Sequence, residues 1–325
     1  MGNEWDWALS TYWSDLRISK MKKLCRRDLL KSSLGASAAL VGGISYERRA
    51  LMAHMMAPPQ EAAVKEPVKG LQRGKFGKYE VSRLIIGGDP VSGIAHAGEL
   101  VYQADFMKQY FNTSKILETL TIAEQNGINT LLMRADDRII SHYNMFKKER
   151  GGTLQWIATS APEQGSPVEN SKRARDNGAI AVYLHGGVAD KLVKDGKVDE
   201  IGEIVEGFKK AGIMAGIGAH MLDTARACAR ARIDPDFYMV TINRVNYYCS
   251  EAAEVGIFMR SIKKPWIAFK VLGAGRVKPQ EGFRLAFEHG GDFLAVGMFD
   301  WQIRDDVAHV QEMLAKGIDR DRDWA

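Results

Sequence analysis

Two histidines stand where an α/β fold places its chemistry. His185 closes the apolar run of AIAVYLHGG at 179–187, and His220 closes that of IMAGIGAHM at 213–221. Between them runs KVDEIGEIVEGFKKAG. There Ile201, Ile204, Val205 and Phe208 recur at helical spacing, with Asp199 placed to cap the start and Gly212 to end it. This is a strand–helix–strand unit whose parallel strands are buried on both faces. In such folds the carboxyl ends of the strands carry the site. An imidazole there titrates near neutrality and suits general acid, general base or oxyanion-donor work; its structural alternative is a buried ring satisfied by backbone. His220 with His185 would also make half of a metal site, with Asp89, His96, Asp136 or Asp137 to complete it. No HxH or HExxH spacing supports that reading, so no metal is assigned.

Three more groups follow apolar runs. Arg134, Asp136 and Asp137 come after Asn129–Met133: the arginine would bind an anionic group and an aspartate act as base, or the set is a solvated turn with a helix cap. Lys270 precedes the turn Gly273-Ala274-Gly275-Arg276, where lysine and arginine around glycines suit an anion. A desolvated Lys270 would also be a Schiff-base nucleophile, and an exposed one a surface charge. Asn243, Arg244, Asn246 and Tyr247 would meet sugar hydroxyls or a cofactor ring, or cap a loop.

The elements that must hold these residues alternate regularly. Strands are expected at Val81–Ile86, Asn129–Met133, Leu154–Thr159, Ile180–Leu184, Ala215–Ile217, Phe237–Ile242, Trp266–Phe269 and Phe293–Val296. Helices fall between them, the first capped by Ser114 and closed by Gly127. Eight β/α units in this length predict a (β/α)8 TIM barrel, an α/β fold of about 250 residues. A doubly wound sheet is the alternative, but no GxGxxG follows the first strand. The tail DRDRDW at 319–324 reads as a solvated charged end.

The net charge of +5 sits mostly in residues 1–57, which hold 9 Lys/Arg against 5 Asp/Glu; the rest holds 36 against 35. No basic surface for nucleic acid is present outside that leader. Cys25, Cys228 and Cys249 have neither disulfide-framework nor zinc spacing, so buried thiols are expected over a Cys228–Cys249 pair. Residues 21–44 place basic residues before a short apolar run, Leu34 to Ile44, too brief to span a bilayer. Arg26–Arg27 followed by Asp28-Leu29-Leu30-Lys31 resembles a twin-arginine export signal. The expected organisation is an N-terminal extension and signal at 1–57, a linker at 58–78 and a barrel at 79–325. Export to the periplasm, or anchoring by an uncleaved leader, would follow, with the export machinery as partner.

Several strings in order resemble the aldo/keto reductase family: VSRLIIGG at 81–88, GINTLLMRAD at 127–136, AVYLHG at 181–186, FKKAGIMAGIGAH at 208–220, KVLGAGRV at 270–277 and AVGMFDWQIRDDV at 295–307. The resemblance covers Tyr79 to Lys316. It implies a barrel that reduces small carbonyl compounds with NADP, using an Asp, a Tyr, a Lys and a His. Only His185 matches. Met133, about Arg138, and Ser160 stand in the other three places. Ala219–His220 replace the pair that holds the nicotinamide amide, and Met239 and Ile242 replace a Gln and a stacking Tyr. Arg138 could substitute for the lost tyrosine only as an electrostatic stabiliser. For cofactor contacts the resemblance leaves Asn243, Lys270, Gly273, Arg276, Gly297 and Met298. The expected activity is an altered, reductase-like oxidoreductase. The alternatives are a non-redox sugar lyase or isomerase, with or without a metal, or an inactive binding barrel.

Overall fold

The structure, a computed structural model, describes residues 67–94 and 102–324. The leader with Arg26–Arg27 and Cys25, residues 58–66 of the expected linker, and His96 lie outside the described residues.

Apolar runs of four to six residues, buried at nearly every position, form eight parallel strands. They are β3 (Leu84–Gly87), β4 (Thr130–Arg134), β5 (Gln155–Thr159), β6 (Ala179–Leu184), β7 (Met214–Ala219), β8 (Phe237–Thr241), β9 (Trp266–Phe269) and β10 (Phe293–Gly297). Neighbours in sequence pair in space, and β10 closes onto β3 with Leu294 opposite Leu84 and Gly297 opposite Gly87. The barrel is therefore closed and has no edge strand. Ile85, Leu132, Ile157, Ala181, Tyr183, Phe237, Met239, Ile267, Phe293 and Ala295 fill its interior, and a second apolar layer lies between strands and helices.

The first barrel strand is shorter than Val81–Ile86. Val81 and Ser82 belong to a hairpin of β1 (Arg73–Phe76) and β2 (Tyr79–Ser82), turned at Gly77 (φ +60°). The last part of the expected linker is thus a strand. Phe76 is fully buried, with its ring 4.8 Å from Phe237 and 5.8 Å from Phe293, so the hairpin plugs the amino-terminal end of the barrel.

The helices are α1 (Asp89–Ser92), α2 (Gln103–Tyr110), α3 (Thr113–Gln125), α4 (Asp137–Arg150), α5 (Pro167–Asp176), α6 (Gly186–Lys194), α7 (Val198–Lys210), α8 (Leu222–Arg230), α9 (Ala252–Ser261), α10 (Pro279–Glu288) and α11 (Asp300–Lys316). Asn112, not Ser114, caps α3, its Oδ1 accepting the Lys115 N–H at 3.1 Å. Asp199 lies within the first turn of α7, where its charge opposes the helix dipole without capping. Cys228 and Cys249 are free and buried, and burial pushes the Cys228 thiol up to about 12.

The tail does not end in solvent. Arg320 and Arg322 form ion pairs with the fully buried carboxylate of Asp292, which also accepts the Trp266 N–H at 2.9 Å. Trp324 packs on Phe287, and the guanidiniums of Arg320 and Arg83 lie 3.3 Å and 4.0 Å from its ring centroid. Alternating Arg and Asp are the composition of a solvated end, but here the arginines serve a buried acid 28 and 30 residues upstream.

Candidate active site

At the carboxyl end of the barrel strands a cavity of about 300 Å³ opens, lined from β3, β4, β5, β6, β8, β9, β10 and the segments that follow them. Leu132, Met133, Met239, Phe269, Tyr247 and Tyr248 give it an apolar and aromatic wall. Asp89, Arg134, Thr159, Tyr183, His185, His220 and Lys270 give it polar groups. The structure brings His185, His220, Arg134, Lys270 and Gly297 of the expected site residues into this lining.

His185 follows β6 as the N-cap of α6. Its backbone N–H donates to Ser160 Oγ at 3.1 Å, and its Nδ1 accepts the Gly187 N–H at 3.2 Å. Accepting that bond requires a bare Nδ1, so the neutral ring carries its proton on Nε2. Burial, then the neighbouring charges of His220, Arg134 and Lys270, lower its pKa from 6.5 to about 4. His185 is therefore a neutral imidazole at physiological pH with a fixed N–H donor.

His220 follows β7 and carries the opposite tautomer. Its Nδ1 lies 2.9 Å from Asp190 Oδ2. A carboxylate only accepts, so Nδ1 holds the proton and neutral His220 has a bare Nε2. Asp190, on α6, also accepts the backbone N–H groups of His220 (3.3 Å) and Met221 (3.4 Å). The two imidazole centroids are 5.9 Å apart at 67°, and the His220 ring also lies 5.4 Å from Phe269. A Cβ on Gly186 would sit 2.9 Å from His220 Nδ1 and Cε1, so glycine there is what lets the edge of the ring approach α6 so closely.

Lys270 follows β9 in the left-handed region at φ +54°, and burial lowers its pKa against the opposing pull of Asp89. Its ammonium is 5.8 Å from the Tyr248 centroid. Arg134 is tied to Asp136 at 3.4 Å and to Glu163. Tyr183 is buried at the cavity floor, its oxygen accepting from Thr159 Oγ1 at 2.7 Å. Burial raises its pKa, the reverse of what a tyrosine acid needs.

The other expected residues sit outside the lining. Asp136 caps α4, its Oδ1 accepting the Ile139 N–H at 2.9 Å. Asp137 is 78% exposed and paired with Arg173. Both are held by helix capping and surface pairing rather than aimed at the barrel mouth. Asn243 is a loop clasp: its amide takes the N–H groups of Val245 and Tyr247 and donates to Tyr247 O. Arg276 bonds Gly273 O at 3.0 Å and lies 4.7 Å from the Tyr247 ring, so that glycine turn is closed on its own arginine. Met298 is fully buried. Arg138 is also structural, donating to Val91 O and Phe111 O. Among the described residues no His/Cys/Asp/Glu group has the arrangement of a metal site.

Sequence reasoning missed Asp190, Tyr183, Thr159 and Tyr248. The carboxylate partner of His220 lies thirty residues before it, on a helix the apolar periodicity did not reveal.

No protein-family model matches the sequence, and no curated protein does. Solved structures do match. One is an aldo-keto reductase of Pseudomonas aeruginosa, with 16% identity over 78% of this chain and 98% of that one, at a TM-score of 0.56. Another is the holo form of a Bacillus halodurans aldo-keto reductase, with 15% identity over 74% and 91%, at 0.51. A third is a variant of Gox0644 in complex with NADPH, with 10% identity over 75% and 94%, at 0.51. The chain shares the closed (β/α)8 barrel fold of these structures. At these identities the likeness is one of fold, and the chemistry of this barrel has to come from its own cavity.

Proposed function

We propose that this barrel is an enzyme acting on the carbonyl group of a small molecule, with His185 as the group that polarises the carbonyl. The observation that carries this reading is the state of His185. A neutral ring, its Nδ1 spent on Gly187, leaves Nε2–H as the donor of a residue that lines the cavity. A preorganised donor aimed at an oxygen that gains charge is effective because it needs no reorganisation. The aromatic wall suits a small, partly apolar substrate, and Lys270 gives it a nearby positive charge.

NADP is the cofactor the resemblance implies, and one of the structural neighbours is an NADPH complex. The residues here do not fit a dinucleotide held in that family's manner. A helix N-terminus is a natural phosphate site, but the first turn of α11 carries its own carboxylate. Asp300 is bound by the Tyr110 hydroxyl at 2.7 Å and Lys115 at 3.1 Å. Phe299 stacks on Trp301 with centroids 4.6 Å apart, and Arg276 is turned toward Tyr247. Where the family grips the nicotinamide, Ala219 offers no polar atom and His220 is held by Asp190. These residues suit chemistry by the chain's own acid–base groups.

The test is a carbon-13 spectrum of carbonyl-labelled dihydroxyacetone and pyruvate with the protein. Polarisation by wild type moves the carbonyl resonance downfield, and His185→Ala loses that shift. An unmoved carbonyl with every probe would overturn the reading. Saturable quenching of NADPH fluorescence at micromolar protein would restore the cofactor. Export through the leader is part of the same proposal: replacing Arg26 and Arg27 by Lys should retain the protein in the cytoplasm, and unchanged export would count against it.

A further inference from the structure

We infer that Asp190 and His220 form a base dyad and that, with His185, they catalyse proton exchange at the carbon next to a substrate carbonyl. The inference rests on the carbonyl reading above. It adds a second catalytic group, a positioning residue and a reaction that needs no cofactor.

Three observations converge. Neighbouring strands β6 and β7 end in imidazoles of opposite tautomer: His185 offers a donor, His220 an acceptor. The tautomer of His220 is set by a carboxylate that also grips the backbone of His220 and Met221, so ring and main chain are held as one unit. Asp190 and His220 are both mostly buried, with side chains 18% and 14% exposed. Finally, the Nδ1 and Cε1 edge of the ring lies against Gly186, and His220 lines the cavity beside His185. No hydrogen bond engages its Nε2 among the described residues. A base oriented by a third group, next to a donor that stabilises the developing oxyanion, is the arrangement that proton abstraction beside a carbonyl requires.

The step balances within the site. The C–H bond adjacent to the carbonyl breaks and its proton forms an N–H bond at His220 Nε2. The C–H electron pair becomes the C=C bond of the enolate. The carbonyl π pair moves onto oxygen, where His185 Nε2–H holds it. Return of the proton to carbon restores the carbonyl and neutral His220, and nothing is oxidised or reduced overall. The charged groups facing the pair are Asp190 on α6, Asp89 beyond β3, Arg134 on β4 and Lys270 beyond β9. The substrate class is a small carbon acid with a hydrogen next to its carbonyl, such as a hydroxyketone or a 2-oxo acid.

The experiment follows deuterium from solvent into dihydroxyacetone and pyruvate by proton NMR, with the full chain and no added nucleotide. Wild type should label the adjacent carbon. His220→Gln should slow labelling by about 100-fold or more, the range of a general base. Asp190→Asn should slow it by about 10-fold while probe affinity holds, with Asp190→Glu recovering part of the rate. Nitrogen-15 spectra should show His220 with a protonated Nδ1 and a bare Nε2 in wild type, and mixed tautomers in Asp190→Asn. Labelling that survives His220→Gln overturns the proposal, as does a His220 protonated at Nε2 alone. A wild type that shifts the probe carbonyl in the carbon-13 spectrum but labels no carbon overturns it and leaves the carbonyl reading standing. A wild type that does neither overturns both.

Discussion

His185 and His220 were legible in the sequence because each closes an apolar run, and the end of a parallel strand points toward a barrel mouth. Their protonation was not legible, since it depends on a backbone N–H two residues on in one case and a carboxylate thirty residues back in the other. The aspartates at 136 and 137 failed for a related reason. A carboxylate at the start of a helix reads identically whether it caps or catalyses, and Asp136 caps. Two expectations belong to single residues. The pKa of His185 falls from 6.5 to about 4, so the unfolded chain takes up a proton in that interval and the folded one does not. The contribution of this ring to stability should be complete above pH 6.5 and decline toward pH 4, by roughly 3 kcal/mol. Urea titrations across that range should show the decline in wild type and a flatter profile in His185→Gln. Gly186→Ala sets a methyl against the His220 ring, 2.9 Å from Nδ1. It should leave secondary structure intact and disturb the His220 tautomer in nitrogen-15 spectra; an unchanged spectrum would mean the ring has room to spare.

The order of strands and helices was written plainly in the sequence, because a buried parallel strand is a short apolar run bounded by turn residues. The departures are at boundaries and in added elements. Val81 and Ser82 continue the apolar pattern of β3 yet pair backward with β1, and nothing in local hydrophobicity separates plugging a barrel from building one. Helix α6 went unseen because its short pattern GGVADKLVK opens on two glycines. Helix α11 begins on Asp300, held by Tyr110 and Lys115, and it carries a second acid of a different kind. Asp306 is buried, and burial pushes its carboxyl up to about 8. The folded state keeps this proton where the unfolded chain, with the ordinary carboxyl value of 3.8, has released it. Its contribution is full below pH 3.8 and is lost as pH rises through 8. Asp306→Asn should therefore raise the thermal midpoint relative to wild type, more at pH 8.5 than at pH 5. An equal effect at both values would place the proton elsewhere.

At the scale of the molecule the two ends of the barrel differ: one is sealed and the other holds the cavity. The hairpin plug and the C-terminal clasp seal the amino end, and the mouth is left to the histidines. The clasp was hidden because Arg and Asp alternating at a terminus are the composition of a solvated tail. Its meaning lies in Asp292, whose buried charge is compensated by Arg320 and Arg322. Removing partners from a buried charge typically costs about 3–5 kcal/mol. Arg320→Met with Arg322→Met should lower the unfolding free energy from urea titration by that order, and adding Asp292→Asn should recover part of the loss. If the triple variant is no more stable than the double, the clasp works through Trp324 packing rather than charge.

The carbonyl reading depends on His185 being neutral with its proton on Nε2. A nitrogen-15 titration of the histidine-labelled protein from pH 8 to pH 4 measures both directly. The expected spectrum has a bare Nδ1 and a protonated Nε2 for His185, unchanged until the pH approaches about 4. A His185 that titrates near 6.5, or that carries its proton on Nδ1, would remove the donor from the cavity and with it the proposed chemistry.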